Sequence, residues 1–500
     1  MKKNDASAPP PQETELKLAL TACDPAELEK RLARMPGLAR RKPSRLQLHN
    51  TYYDTPEQTL RRKRVALRLR RVGSDAEPEW LQTLKMGGSG NSALSQRGEW
   101  ETAVRGGELS LRALAATPWT DIDPDGNVFG KLAPCFVTSF DRTIWTVRKP
   151  GGSLVEVSLD VGQIVVKGKS TPIFELELEL LAGQPAALFG LARQIAGSIA
   201  VMPEIRSKSE RGYALAEDSL NRPVRAQPPP LTAKMAPAEA AQCVLREMFC
   251  QFTTNLNTLR HSDDPEVLHQ ARVGWRRFRS AHRLFKPVLD ADAVPSWEQL
   301  QTLLTFVGEV RDLDVARTET LPGFEKAYMA GDVRREEKWQ SLIQALTQAA
   351  DVQRKAVRYA LESPSVGMTL LAITQWLEEL PSGKPEPGDA RKTSLRRWAK
   401  RRIARLHQQL EDALQDADTL EGQHRARILA KRTRYGIEAL KPLLSRQRTK
   451  RWYRQATDLQ TNIGMARDVA QAHLLVVKVQ ADRELAEFLR GVAVGQEHSD

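Results

Sequence analysis

From Glu13 onward the chain alternates. Glu13, Glu15 and Lys17 fall on one side of a two-residue repeat, and Leu16, Leu18 and Leu20 on the other, which predicts a strand with one charged and one apolar face. The alternation returns in Leu67-Arg68-Leu69-Arg70, in Glu156-Val157-Ser158-Leu159-Asp160 and in Glu175-Leu176-Glu177-Leu178-Glu179-Leu180, while Arg97, Glu99 and Glu101 lie at i, i+2 and i+4 around Trp100. One such strand in isolation reads as an ordinary solvated sheet face. Five of them, with carboxylates and cations on the same side, predict a shared polar surface. Gly- and Pro-rich breaks at Met86-Gly87-Gly88-Ser89-Gly90, Lys149-Pro150-Gly151-Gly152 and Gly168-Lys169-Ser170-Thr171-Pro172, with helical stretches near residues 25–33 and 186–200, complete a mainly antiparallel sheet domain with flanking helices.

Beyond Pro228-Pro229-Pro230 the periodicity becomes helical throughout. The expected division is a disordered tail at 1–12, a sheet domain at 13–218, a stiff proline-rich linker at 219–231 and a helical domain at 232–500. The helical part repeats itself. His269-x-x-Arg272-x-x-x-Arg276-x-x-Arg279, ending in Lys286-Pro287, returns as His424-x-x-Arg427-x-x-x-Lys431-x-x-Arg434, ending in Lys441-Pro442, an offset of 155 positions (269 to 424). Gly308-x-x-Arg311-Asp312 returns as Gly464-x-x-Arg467-Asp468, an offset of 156 (308 to 464). The pattern predicts two duplicated helical bundles.

Arg272, Arg276, Arg279, Arg283 and Lys286 are spaced 4, 3, 4, 3, which sets them on one helical stripe, with Trp275, Phe278 and Phe285 about a quarter turn away. Like charges at these spacings repel. Either a polyanion neutralises them, or acids on neighbouring helices do so, with Asp312, Asp314 and Asp468 as candidates. Arg396, Lys400, Arg401 and Arg405 add a further basic stretch. His269 and His424 are either phosphate donors or capping and core residues.

Composition changes the picture in one respect. The 500 residues carry 75 Lys and Arg against 62 Asp and Glu, a net charge of +13, which points to polyanionic partners without naming one. Hydrophobic content of 41% excludes a disordered chain. There is no stretch of about eighteen apolar residues to span a membrane and no signal-peptide core. Cys23, Cys135, Cys243 and Cys250 form neither a zinc pattern nor a disulfide framework, so a cytoplasmic setting is expected.

The sheet half resembles the CYTH family of triphosphate tunnel metalloenzymes. The resemblance is carried by Glu13-Thr14-Glu15-Leu16-Lys17, Tyr52-Tyr53-Asp54-Thr55-Pro56, Ala66-Leu67-Arg68-Leu69-Arg70, Gln82-Thr83-Leu84-Lys85, Arg97-Gly98-Glu99-Trp100-Glu101, the Glu175 to Glu179 run and Ser207-Lys208-Ser209-Glu210-Arg211-Gly212-Tyr213. The helical half resembles the CHAD domain. The resemblance implies an α+β N-terminal domain, an eight-stranded antiparallel β-barrel tunnel with flanking helices, followed by an all-α C-terminal domain. Its lumen would be polar, the inverse of a small barrel filled with apolar side chains. By resemblance, Lys17, Arg68, Arg70, Lys85, Arg142 and Lys208 bind phosphate oxygens, and Glu13, Glu15, Asp160, Glu175, Glu177 and Glu179 hold Mg2+ or Mn2+. Glu13, Glu15 and Lys17 are the catalytic candidates. The carboxylates, being crowded, are expected to raise one another's pKa.

For chains that join these two domains the resemblance implies an inorganic triphosphatase. It would cleave tripolyphosphate to pyrophosphate and phosphate, with His269, Arg272, Arg276, Arg279, Arg283, His424, Arg427, Lys431 and Arg434 binding inorganic polyphosphate. The alternatives are a nucleoside or thiamine triphosphate as substrate, adenylate cyclase activity included, or a non-catalytic polyphosphate-binding and targeting protein. Tyr52, Tyr53 and Trp80 are the scattered aromatics that could stack on a base, though they read better as core. Nucleic acid and membrane are not expected partners; nucleic-acid binding by the basic half would show a steep salt slope.

Overall fold

The computed structural model describes residues 12–21, 24–39, 41–73, 78–87, 91–149, 151–381, 394–416 and 419–497, excluding the side chains of 420, 448, 462–467 and 496–497. The expected tail up to residue 11, Cys23, the Gly88-Ser89-Gly90 break and the side chain of Arg467 therefore lie outside the described residues. Nine strands are present among them: β1 (Gln12–Leu20), β2 (Ser44–Asp54), β3 (Val65–Val72), β4 (Glu79–Met86), β5 (Leu94–Ala103), β6 (Ala133–Arg148), β7 (Leu154–Val166), β8 (Lys169–Ala182) and β9 (Val201–Pro203). The helices among them are α1 (Pro25–Arg34), α2 (Thr59–Arg62), α3 (Trp119–Ile122), α4 (Ala186–Ala196) and α5 (Lys208–Ala216), then the long set α6 (Pro237–Leu259), α7 (Pro265–Phe285), α8 (Gln301–Val315), α9 (Glu325–Met329), α10 (Val333–Leu361), α11 (Pro364–Glu379), α12 (Leu395–Gln415), α13 (Leu420–Leu440), α14 (Arg446–Lys478) and α15 (Arg483–Glu497). The chain divides into two compact units. One runs to Arg222 and takes in residues 362–375; the other comprises Pro223–Leu361 and the residues from Trp376 on.

In the first unit the strands follow the order β5-β4-β3-β2-β6-β7-β8-β1, and β5 pairs with β1 to close an eight-stranded antiparallel barrel. Closure removes the sheet edges that an open sheet would have to protect. The ninth strand, β9, pairs with Leu18–Leu20 of β1 beyond the stretch that β5 occupies. Because side chains alternate, the strands that place charges inside place apolar side chains outside. Leu16, Leu18, Trp145, Val157, Leu159, Leu176 and Leu178 form an outer layer under Leu28 and Leu32 of α1 and Leu188, Leu191 and Ile195 of α4, joined by Leu371 of α11. A second layer sets Leu67 and Leu84 under Leu60, Leu114, Trp119 and Ile122. Each such side chain contributes about 1.5–3 kcal/mol by leaving water, so the hydrophobic core of this domain lies around the barrel and not within it. The exception is an inner apolar patch of Leu48, Tyr52, Phe136, Phe140, Ile164 and Ile173, on which Tyr213 of α5 packs.

The second unit is helical. Its α7 and α13 are copies in detail: α7 starts at Pro265 and α13 at Leu420, the same offset of 155, and each ends in a Lys-Pro 3-10 turn, Lys286–Val288 and Lys441–Leu443. Asp264 caps the first by accepting the Glu266 N–H at 2.8 Å, and Thr419 the second by accepting the Gly422 N–H at 3.0 Å. Trp275, Phe278 and Phe285 are buried, as the spacing predicted; Trp275 and Phe278 pack with Phe249, Phe252 and Trp297, and Phe285 stacks on Trp398. The proline-rich segment has no regular structure, yet it is not a free spacer. The Val224 N–H donates to Asn255 at 2.9 Å and Gln227 N–H to Glu247 at 2.5 Å, both on α6, and Leu231 is buried. No helix among the described residues is long and apolar enough to cross a membrane.

Candidate functional site

Strand register brings the lumen charges together. Glu13 lies opposite Arg97 across β1 and β5, Glu15 opposite Glu179 and Lys17 opposite Glu177 across β1 and β8. Asp160 of β7 lies between Arg142 of β6 and Glu175 of β8, and Lys85 of β4 opposite Glu99 of β5. All the tunnel residues named from sequence face the lumen in this register, except Lys208, which reaches it from α5.

They form two networks of ion pairs. In the first, Glu13 accepts from Lys85 Nζ at 3.0 Å and from Arg97 Nε at 2.8 Å, while Glu15 accepts from Arg97 at 2.5 Å and from Lys17 at 3.2 Å. Lys85 also reaches Glu99 at 2.8 Å, Arg68 lies 3.5 Å from Glu99, and Arg70 lies 3.7 Å from Glu101 while donating to Asn50 at 2.8 Å. In the second, Arg142 grips Asp160 through two 2.7 Å hydrogen bonds and Glu177 at 2.5 Å. Lys208 reaches Asp160 at 2.7 Å, Glu177 at 2.9 Å and also Glu175, which Arg211 pairs at 2.7 Å. Glu15 and Lys17 are each only 2% exposed, and Asp160 is fully buried.

Arg211, Glu99, Glu101 and Arg97 belong to this constellation without having been assigned a role from sequence. The signals were there. Arg97, Glu99 and Glu101 share the alternation of β5. Ser207 and Glu210 form a capping box, the Ser207 hydroxyl taking the Glu210 N–H at 3.2 Å and the Glu210 carboxylate the Ser207 N–H at 2.7 Å. That box fixes a helix start and so places Lys208 and Arg211 three apart, on one face.

Crowding raises one lumen carboxylate and is outweighed at two others. Glu179 rises as expected, to about 7, through burial first and then the neighbouring Glu13 and Glu156 charges. Glu177 moves the other way: burial favours its neutral form, but Lys208 and Arg142 outweigh that and hold it well below the usual carboxylate range. Lys85 and Arg68 outweigh burial in the same way at Glu99 and lower it. Arg70 is lowered to about 10 by burial and by the nearby Arg68 and Arg142. At Glu177 and Glu99 pairing outweighs burial and crowding.

Asp160, Glu175 and Glu177 each offer a carboxylate oxygen, all within 4.8 Å of one another. One of these oxygens, Glu175 Oε1, is buried against the Lys208 ammonium without a well-aligned hydrogen bond. Three hard oxygen donors converging in a buried pocket suit a small divalent cation. Glu13 and Glu15 are paired with Lys85, Arg97 and Lys17, as Asp160, Glu175 and Glu177 are with Arg142, Lys208 and Arg211. Of the aromatics, Tyr52 stacks on Phe136 with ring centroids 4.7 Å apart and is core.

On the helical unit, Arg279, Arg283 and Lys286 are exposed, and among the described residues Arg279 and Arg283 have no acidic partner; burial and the nearby Arg283 lower Arg279. Arg276 lies over the Tyr435 ring at 5.7 Å, and Arg434 over the same ring at 4.8 Å. Asp314, one of the acids that could have quenched the stripe, is fully buried and taken by Arg354 of α10 at 2.6 Å. His269 is half-buried and lowered by burial and then by Arg311, whereas His424 is exposed.

A model of the CYTH domain matches residues 11–213 and one of the CHAD domain residues 243–477. The chain thus joins a CYTH domain to a CHAD domain. It is 32% identical over 206 residues to an inorganic triphosphatase of Haemophilus influenzae, a match spanning 41% of this chain and 55%, about half, of that relative. Among solved structures it is similar to the CHAD domain of the plant Ricinus communis, with 27% identity, 55% of this chain and 92% of that one covered, and a TM-score of 0.46. It is also similar to a Hippeastrum protein described as having a dominant triphosphatase activity, with 19% identity, 40% and 95% coverage and a TM-score of 0.32.

Proposed function

We propose that the barrel hydrolyses inorganic triphosphate with the help of a divalent cation, Mg2+ or Mn2+, and that the helical unit binds inorganic polyphosphate. The observation that carries the first part is a closed barrel whose lumen is lined by interleaved cations and carboxylates while its apolar packing lies outside. Such a lumen has no use as a core, since burying so many charges costs more than filling the same volume with apolar side chains. It suits a ligand that brings its own charge. The curated relative, an inorganic triphosphatase, supports the choice of substrate.

Arg68, Arg70, Lys85, Arg97, Arg142, Lys208 and Lys17 would exchange carboxylate partners for phosphate oxygens, and the arginines can do so bidentately. Asp160, Glu175 and Glu177 would hold the cation, freed from part of their contact with Lys208 and Arg142. When bound, the cation would neutralise phosphate charge as bonds rearrange. Glu13 and Glu15, held in place by Lys85, Arg97 and Lys17, would orient the attacking water, and Glu179, raised to about 7 by burial and then by the Glu13 charge, would take the proton of that water. Release of phosphate from tripolyphosphate, measured with Mg2+, with Mn2+ and with EDTA for the native chain and for Arg142→Ala, tests this. Native turnover with either metal, none in EDTA and a loss of at least about a hundredfold in the variant are expected.

The polyphosphate reading rests on the exposed and uncompensated Arg279 and Arg283, and on the removal of Asp314 as their partner. No specific observation favours a nucleotide, since Tyr52 is committed to the core.

A further inference from the structure

Asp54 and Tyr213 are buried titratable groups that the proposed chemistry does not use. Asp54 is the last residue of β2 and only 1% exposed. Its carboxylate is fully engaged: Oδ1 accepts the N–H groups of Thr55 and Leu60, both at 2.8 Å, and Oδ2 accepts the N–H of Arg61 at 3.0 Å and the Tyr213 hydroxyl at 2.8 Å. The first three bonds tie down the turn from β2 into α2. The fourth runs to the middle of α5. Burial and the adjacent Asp54 push the Tyr213 hydroxyl upward, so it keeps its proton and donates.

Further contacts act in the same place. The Arg61 guanidinium lies 4.8 Å above the Tyr213 ring and bonds Glu217, at the end of α5, through Nη2 at 3.0 Å. The Tyr213 ring meets Phe136 edge-on at 5.1 Å. Gly212 lies so close to Phe136 that a Cβ there would overlap the ring. One end of α5 is therefore locked to the barrel wall and to the β2–α2 turn. The other end carries Lys208 and Arg211, which engage Asp160, Glu175 and Glu177. A helix of two and a half turns is stiff enough to pass position from one end to the other.

We propose that Asp54 and Tyr213 are positioning residues whose hydrogen bond latches α5 to the barrel, so that Lys208 and Arg211 are held over the carboxylates that receive cation and triphosphate. The inference rests on the triphosphatase reading for its kinetic consequence only. Asp54→Asn would leave four donors facing a poorer acceptor and could prevent folding, so the test is Tyr213→Phe, which removes one hydroxyl and keeps the ring packing. In the full chain, Tyr213→Phe raises KM for tripolyphosphate about tenfold with a smaller change in kcat, as the loss of one buried charge-assisted hydrogen bond implies. In a Lys208→Ala background the same change adds less, because one of the two groups it positions is gone. Amide exchange across residues 208–216 speeds up in Tyr213→Phe while that of β7 does not. Equal kinetic losses in both backgrounds, or unchanged exchange in α5, would overturn the latch. If the native chain leaves tripolyphosphate intact, the activity fails, and the exchange comparison still decides the latch.

Discussion

Glu13 and Glu15 show how far residue type and spacing reach. Alternation placed both on a polar face, and from that alone either could be removed without harm to the fold. The pairs change this for Glu15. Glu15→Ala leaves Lys17, itself 2% exposed, without its 3.2 Å partner, and stranding a buried charge costs roughly 3–5 kcal/mol. Glu13→Ala is milder, because Lys85 keeps Glu99 and Arg97 keeps Glu15. Both variants should lose triphosphate hydrolysis by at least about a hundredfold, but thermal melting should drop markedly in Glu15→Ala alone. Equal melting temperatures would contradict the assigned pairs.

The same scale carries a pH prediction. Glu179 is raised from 4.5 to about 7 in the folded chain, so it binds its proton more tightly folded than unfolded. Its contribution to stability is full below pH 4.5 and is lost as pH rises through about 7. Glu177 and Glu99 are lowered, so theirs is present above the ordinary carboxylate range and lost as pH falls through their depressed values. In Glu179→Gln the decline in melting temperature across pH 4.5 to 7 should shrink while the acid limb stays. A variant whose melting profile overlays that of the native chain would show that Glu179 is not the group involved.

At the scale of elements, the barrel was legible because its inside and outside differ so sharply: Leu67-Arg68-Leu69-Arg70 reads as one wet and one dry face, and so it is. What spacing could not give is partnership. Whether Lys208 meets Asp160 depends on how α5 is docked, a matter of Tyr213 and Asp54, far apart in sequence. The duplicated helix was legible for the opposite reason, since a 155-residue offset repeats caps, stripe and Lys-Pro stop together. Its two histidines nevertheless differ in burial, as a repeat read from sequence cannot show. For the stripe, Arg279→Glu with Arg283→Glu should weaken polyphosphate binding far more than Lys326→Glu with Arg334→Glu, at equal change in net charge. It should also lower the slope of log affinity against log salt by about two. Stability should hold or rise as repulsion along α7 is relieved. Equal losses in the two double variants would reduce the effect to net charge.

For the whole molecule, +13 is a sum over two very different surfaces. In the barrel the described lumen cations are paired with carboxylates, so on the proposed reading triphosphate would need a divalent cation to shift that balance. On α7 and just past its end, Arg279, Arg283 and Lys286 are open to solvent. The two functions should therefore separate with a chelator: EDTA abolishes hydrolysis while retention of long-chain polyphosphate persists and responds only to salt. Loss of retention in EDTA would place polyphosphate in the barrel. The central claim is a lumen built for inorganic triphosphate, and the most direct measurement is product release from tripolyphosphate, ATP and thiamine triphosphate, side by side with saturating Mg2+ or Mn2+ and followed by 31P NMR. The account predicts that tripolyphosphate is cleaved fastest, yielding pyrophosphate and phosphate in equal amounts. Faster cleavage of ATP or thiamine triphosphate, or no cleavage of any of them with either metal, would contradict it.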